Sequence, residues 1–292
     1  MQTVAVLGAG VLGSAVVRRL VELGVHVRLY NRDRNKAQAL QGPQVVVCDS
    51  PAGAVDGADL SLAVLTDTEA LRQVVESPQG VLAGPRLPCF TLIDLSTHGP
   101  ATLMPLVERW SGQGLTYVEA PVTGSVHDAL HGRLNFLVGG AVAHVEATRP
   151  FLERLGHRAY HLGPIGSGST AKLALNLLVG TMAWGLAEAT AMLEAAQLDV
   201  EAFHDALASS GLASPLYQRL GQRYMSRDFQ PRFSLANLEK DVVLINAEAH
   251  RLGLPGRQAR LLGKVLAELS PETKAHDYSI LVTCSLPEPP PQ

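Results

Sequence analysis

The chain opens on the feature that most limits its fold. An apolar run, "TVAVL" at residues 3 to 7, passes directly into Gly8-Ala9-Gly10-Val11-Leu12-Gly13 and then into a segment with helically spaced apolar residues. Glycines spaced G-x-G-x-x-G between a strand and a helix make specific steric demands: the first suits a tight turn, the second lets backbone approach a pyrophosphate, and the third lets helix and strand pack closely. The amino terminus of the helix then faces the anion. Residues 8 to 13 therefore read as a dinucleotide cradle opening a βαβ unit.

The remainder of the amino-terminal half keeps that pattern. Strand-like stretches "HVRLYN", "QVVVC", "LSLAVL" and "TLIDLS" alternate with helical segments at about Val11 to Leu23, around Lys36 and near Leu71. Such alternation predicts a parallel, doubly wound sheet. "TYVEAPV" and "LNFLVGG" extend it, and a helix from about Val145 to Leu155 leads to "AYHLGP". From Ala171 onward strand signals vanish, and amphipathic segments are punctuated at "GLASP", "FQPRF", "LGLPG" and "LSPET". The expectation is an α/β chain: a Rossmann domain over residues 1–163, an all-helical domain over 164–286, and a disordered, proline-rich tail over 287–292.

Composition excludes several function classes. A formal net charge of −3 without a dense Lys/Arg run leaves no footprint for nucleic acid or an anionic membrane, so a small-molecule partner is expected. Three scattered cysteines, Cys48, Cys89 and Cys284, make neither a disulfide framework nor a zinc site, and a reducing cytoplasm is expected. His127/His131 and His157/His161 have i,i+4 spacing but no third ligand, so no metal is expected. "LALNLLVGTMAWGLA", 15 residues between Lys172 and Glu188, falls short of the roughly 18 apolar residues of a spanning helix.

Two stretches carry chemistry. At the end of the second strand an acid would bind the ribose hydroxyl of NAD, whereas an arginine accommodates the phosphate of NADP. Here Asn31 and Arg32 stand in that place, with Arg34 and Lys36 beyond, which favours NADP (NADPH). The other reading of these residues is a run of solvated charges with Asp33 as ribose acceptor. In "GSGSTAKLALN", Lys172 and Asn176 lie about one helical turn apart on one face. Apolar neighbours would desolvate Lys172 and lower its pKa toward proton transfer. A lysine snorkelling from a buried helix is the alternative.

The chain resembles the β-hydroxyacid dehydrogenase family, which includes 3-hydroxyisobutyrate dehydrogenases and glyoxylate or succinic semialdehyde reductases. Besides the glycine motif, "DLSTHGP" at 94 to 100 resembles the family's element near the nicotinamide, which implies Thr97, with Leu65 from the preceding loop, as cofactor contacts. "APVTGSVHDALHGRLNFLVGG" at 120 to 140 resembles its substrate-binding block, implying Thr123, Gly124 and Ser125. "GSGSTAKLALN" is similar to its catalytic block, which implies Lys172 as catalytic lysine and Asn176 as its partner. "FSLANLEKDV" at 233 to 242 implies Lys240 at the cofactor and Phe233 and Asp241 at the substrate. Thr66 stands where the family has a proline, Thr123 and Ser125 replace a serine and a glycine, and Leu177 replaces a common asparagine; the pocket is expected to be narrower. The resemblance implies an NADP-dependent oxidoreductase acting on CH–OH groups of a small carboxylate, a hydroxy acid interconverting with a semialdehyde or keto acid, as a homodimer or homotetramer. An imine reductase, and a non-catalytic NADP-binding regulatory protein, are the alternatives.

Overall fold

The computed structural model describes residues 2–84 and 90–285. Cys89 and the expected tail lie outside them, and Cys48 and Cys284 are free thiols. The chain forms two compact units, Met1–Lys172 and Leu173–Gln292.

In the first unit the strands are β1 (Thr3–Leu7), β2 (His26–Tyr30), β3 (Val45–Val47), β4 (Leu60–Ala63), β5 (Thr91–Asp94), β6 (Thr116–Glu119), β7 (Val122–Thr123), β8 (Asn135–Gly139) and β9 (Arg158–Gly163). Among the described residues they make one sheet in the order β3-β2-β1-β4-β5-β6-β8-β7, with β9 beside β8. The first six strands are parallel in the dinucleotide-binding order. Their side chains are largely apolar on both faces because helices cover both, and Leu7, Leu29, Leu62 and Ile93 are fully buried. The helices are α1 (Val11–Glu22), α2 (Arg34–Gln38), α3 (Pro51–Val55), α4 (Thr68–Glu76), α5 (Pro100–Ser111), α6 (Val126–Leu130) and α7 (Val142–Leu155).

Two features depart from the sequence reading. The sheet is not parallel throughout: β8 runs antiparallel to β6 and β7. Residues 124–134, between β7 and β8, are fewer than the dozen or so that a parallel crossover needs. Helices α3, α5 and α6 have no counterpart in that reading either; α3 and α6 are single short turns, and α5 begins at Pro100 and contains Pro105, residues that read as punctuation.

The long helix α8 (Ser167–Ala195) starts in the first unit and continues into the second, whose other helices are α9 (Val200–Ser209), α10 (Pro215–Met225), α11 (Leu235–Arg251), α12 (Arg257–Glu268), α13 (Pro271–Ala275) and α14 (Leu281–Cys284). By length and apolar composition α8 is sufficient to cross a membrane, contrary to the shorter apolar count; buried helices of soluble cores meet the same criterion. In the second unit α8, α10, α11 and α12 share a core built around Leu186, Leu220, Leu238 and Leu262.

Candidate active site

The glycine loop has the sterics its spacing demands. Gly8 has φ +121°, and a Cβ there would run into the Val64 carbonyl at the end of β4; a Cβ on Gly13 would run into the Gly8 carbonyl. A Cβ on Gly10 would meet nothing within 4 Å. Gly10 precedes α1 without a side-chain cap, so the first N–H groups of α1 have no partner from the capping side chain. The loop thus has the shape and the donors for a pyrophosphate. Within it Ala9 is buried, Leu12 half-buried and Val11 exposed.

At the end of β2, Asn31 is committed to the loop itself: its Oδ1 accepts from the Ala9 N–H at 2.8 Å, and its Nδ2 donates to the Asp33 carbonyl at 2.7 Å. The Asp33 carboxylate caps α2 by accepting from Asn35 N–H at 3.1 Å. Arg34 pairs with Asp49. Arg32 is exposed and has no hydrogen bond or ion pair among the described residues.

Leu65 and Thr97 sit on loops tied together after β4 and β5. The Leu65 N–H donates to Ser96 Oγ at 2.8 Å, and Ser96 N–H donates to Asp94 Oδ1 at 2.9 Å. Asp94 Oδ2 also accepts from the Tyr117 hydroxyl at 2.6 Å and from His98 Nε2 at 2.8 Å, while His98 Nδ1 meets Thr68 Oγ1 at 3.0 Å. Burial pushes the Asp94 carboxyl up, but the facing His98 and the hydrogen bonds from His98, Ser96 and Tyr117 outweigh it and hold the group below the ordinary aspartate value. Burial, then the Asp94 charge, pushes the Tyr117 phenol well above its usual value, so it stays a donor.

Thr123 closes β7 and Gly124 follows it. Gly124 has φ +132°, and a Cβ there would press on Leu134. The Ser125 side chain is turned to α6 in a capping box: its Oγ accepts from Asp128 N–H, and Asp128 Oδ2 accepts from Ser125 N–H at 2.7 Å.

Lys172 is half-buried in the second turn of α8, and the buried Asn176 follows one turn later. In the second unit Asn176 Nδ2 donates to Asp241 Oδ2 at 2.5 Å. Lys240 Nζ lies 3.0 Å from Asp241 Oδ1, a contact of opposite charges outside hydrogen-bond geometry. Phe233 precedes α11 and is held by Asp277, whose Oδ2 accepts the N–H groups of Arg232 and Phe233 at 3.0 Å each.

Residues 3–163 match the family model for the NAD binding domain of 6-phosphogluconate dehydrogenase, and residues 166–284 match that for NAD-binding of NADP-dependent 3-hydroxyisobutyrate dehydrogenase. Glyoxylate/succinic semialdehyde reductase 1 of Arabidopsis thaliana is 30% identical over 82% of this chain and 82% of its own. The chain belongs to the β-hydroxyacid dehydrogenase family. A 3-hydroxyisobutyrate dehydrogenase of Pseudomonas aeruginosa is 29% identical over 96% of this chain and 97% of its own. The structure of Mycobacterium tuberculosis 3-hydroxyisobutyrate dehydrogenase with L-serine superposes with a TM-score of 0.87 at 25% identity, covering 97% of this chain and 99% of that one.

The chain is therefore of an NAD(P)-dependent oxidoreductase family. Its structure brings Asn176, Lys240 and Asp241 together, and Ala9 with Asn31. Sequence reasoning missed Asp94, Ser96, His98 and Tyr117, though the first three lie within "DLSTHGP". It also missed Glu119, buried at the end of β6, and Asp277.

Proposed function

We propose that this protein is an NADPH-dependent oxidoreductase that interconverts a small hydroxy acid with its semialdehyde or keto acid, with Lys172 as general acid and base. The observation that carries this reading is the arrangement on α8: Lys172 stands one turn before Asn176, and Asn176 is oriented by a buried carboxylate, Asp241. When bound, the nicotinamide supplies or accepts the hydride. The Lys172 ammonium donates its proton to the oxygen of the carbonyl being reduced and takes it back in the reverse direction. Thr123 and the Gly124 amide bind the substrate carboxylate, and Asn176, Phe233 and Asp241 orient the rest. Gly8 to Gly13, Leu65, Thr97 and Lys240 would hold the cofactor. L-serine in the mycobacterial relative is a hydroxy acid of the size proposed. The turn of Ser125 Oγ toward α6 supports assigning the restriction on substrate size to Thr123 more than to Ser125.

NADPH over NADH is supported by the exposed Arg32 and by the absence of an acid at Asn31. Assembly as a homodimer or homotetramer is supported by the exposed Leu178 and Met192 on α8.

The deciding experiment assays short semialdehydes and keto acids, glyoxylate and succinic semialdehyde first, with both cofactors and with a cyclic imine alongside. Lys172→Ala should lower kcat by about 10² to 10⁴ without weakening NADPH binding. Arg32→Ala should weaken NADPH roughly ten-fold and leave NADH unchanged, the size of one charge-assisted contact. Wild-type kcat in Lys172→Ala, or turnover of the imine alone, would overturn the reading.

A further inference from the structure

Glu119 ends β6 and is 1% exposed. Its Oε1 accepts from Gly168 N–H at 2.9 Å, and its Oε2 accepts from Ser169 N–H at 3.2 Å and from the Ser169 hydroxyl at 2.6 Å. These amides belong to the first turn of α8, where N–H groups have no partner inside the helix. The carboxylate reaches them because two glycines stand aside. Gly139 faces Glu119 across the β6–β8 ladder, and a Cβ there would run into the carboxylate; a Cβ on Gly168 would run into the Leu137 carbonyl of β8.

A helix start rich in hydroxyls, "SGST" at 167 to 170, has its own residues for a cap. A local cap fixes a helix to its own preceding loop. A cap supplied by a strand fixes it to the sheet, in height and in rotation, and here the strand is the one that leads into Thr123. Lys172 follows Ser169 by three residues, about one turn, and side chains on a helix lean toward the turn before them. We infer that Glu119 is a positioning residue for Lys172, locking the first turn of α8 to the sheet so that the lysine is held at a fixed place relative to Thr123.

The inference rests on the reading of Lys172 as the general acid, and the test separates the two. Glu119→Gln, Ser169→Ala and Lys172→Ala are made in the full chain, with each of the first two also combined with Lys172→Ala. For each, kcat and KM are measured on the best substrate and NADPH affinity by quenching of fluorescence. Glu119→Gln should lower kcat about ten- to a hundred-fold, the scale of a small misplacement of a reacting group, with NADPH affinity unchanged. In the Lys172→Ala background it should lower the residual rate no further, because a residue acting through another has nothing left to act on. An equal loss in both backgrounds, or wild-type kcat, overturns the inference. If Glu119→Gln fails to fold, Ser169→Ala decides, since it removes one donor and keeps the carboxylate: a fall in kcat confined to the Lys172 background supports the inference, and wild-type kcat overturns it. Wild-type kcat in Lys172→Ala overturns both readings.

Discussion

At the scale of single residues, the three glycines of the cradle are one motif with different physical demands. Gly8 and Gly13 are required by the protein's own backbone, since a Cβ on either would strike a carbonyl. Gly10 is not, because a Cβ there would point into open space. Gly13→Ala should therefore destabilise the fold by about 1–3 kcal/mol, the usual cost of overpacking. Gly10→Ala should melt like wild type and lose NADPH affinity, because the added methyl occupies the space a pyrophosphate would take. Thermal melts and cofactor titrations of both variants check this; equal melting temperatures for the two would refute it. The cradle was legible in the sequence because this steric logic is local, each glycine lying within a few residues of the turn it permits. Asn31 was legible as a position but not as a contact, for nothing in "LYNRDR" announces that its amide ties back to Ala9.

Elements were legible where their signal was periodic. The strands of the amino-terminal sheet and the start of α1 lie close to where apolar runs and glycines put them, and the breaks between α9, α10, α11, α12 and α13 fall at "GLASP", "FQPRF", "LGLPG" and "LSPET", the first and last of which run on into the helix that follows. What failed was orientation and anchoring. The antiparallel β8 has the same composition as a parallel strand, and the contact between Glu119 and α8 joins residues about 50 apart. Glu119 also has a signature in solution. Burial raises its pKa above the ordinary glutamate value of 4.5, although the Ser169 hydroxyl and the amides of Gly168, Ser169 and Gly166 pull it back. A raised carboxyl favours the folded state fully below its unfolded value and loses that advantage as pH rises through its folded value. The stability of wild type relative to Glu119→Gln should therefore be greatest below about pH 4.5 and shrink toward neutrality. Urea midpoints across that range measure it, and a gap that widens with pH would contradict the assignment.

For the molecule as a whole, a doubly wound sheet unit followed by a helical unit is what the early alternation and its later loss imply. Assembly leaves a fainter trace in sequence. Leu178 is 55% exposed and Met192 73% exposed on α8. If a second copy covers them, Leu178→Glu should lower the assembly mass in sedimentation, since a buried unpaired carboxylate opposes association. A wild-type chain that sediments as a single copy would remove the basis for that proposal.

The border between the compact units falls at Lys172/Leu173, inside α8 rather than in a loop. A recombinant spliced at that border is joined within a helix, and each residue gained or lost at the join turns the remaining helix by about 100° and shifts it by about 1.5 Å. One residue gained between them carries Asn176 off the face that holds Lys172. A crossover between Lys172 and Asn176 therefore has to preserve the spacing of the pair, a constraint that a join in a loop would not impose.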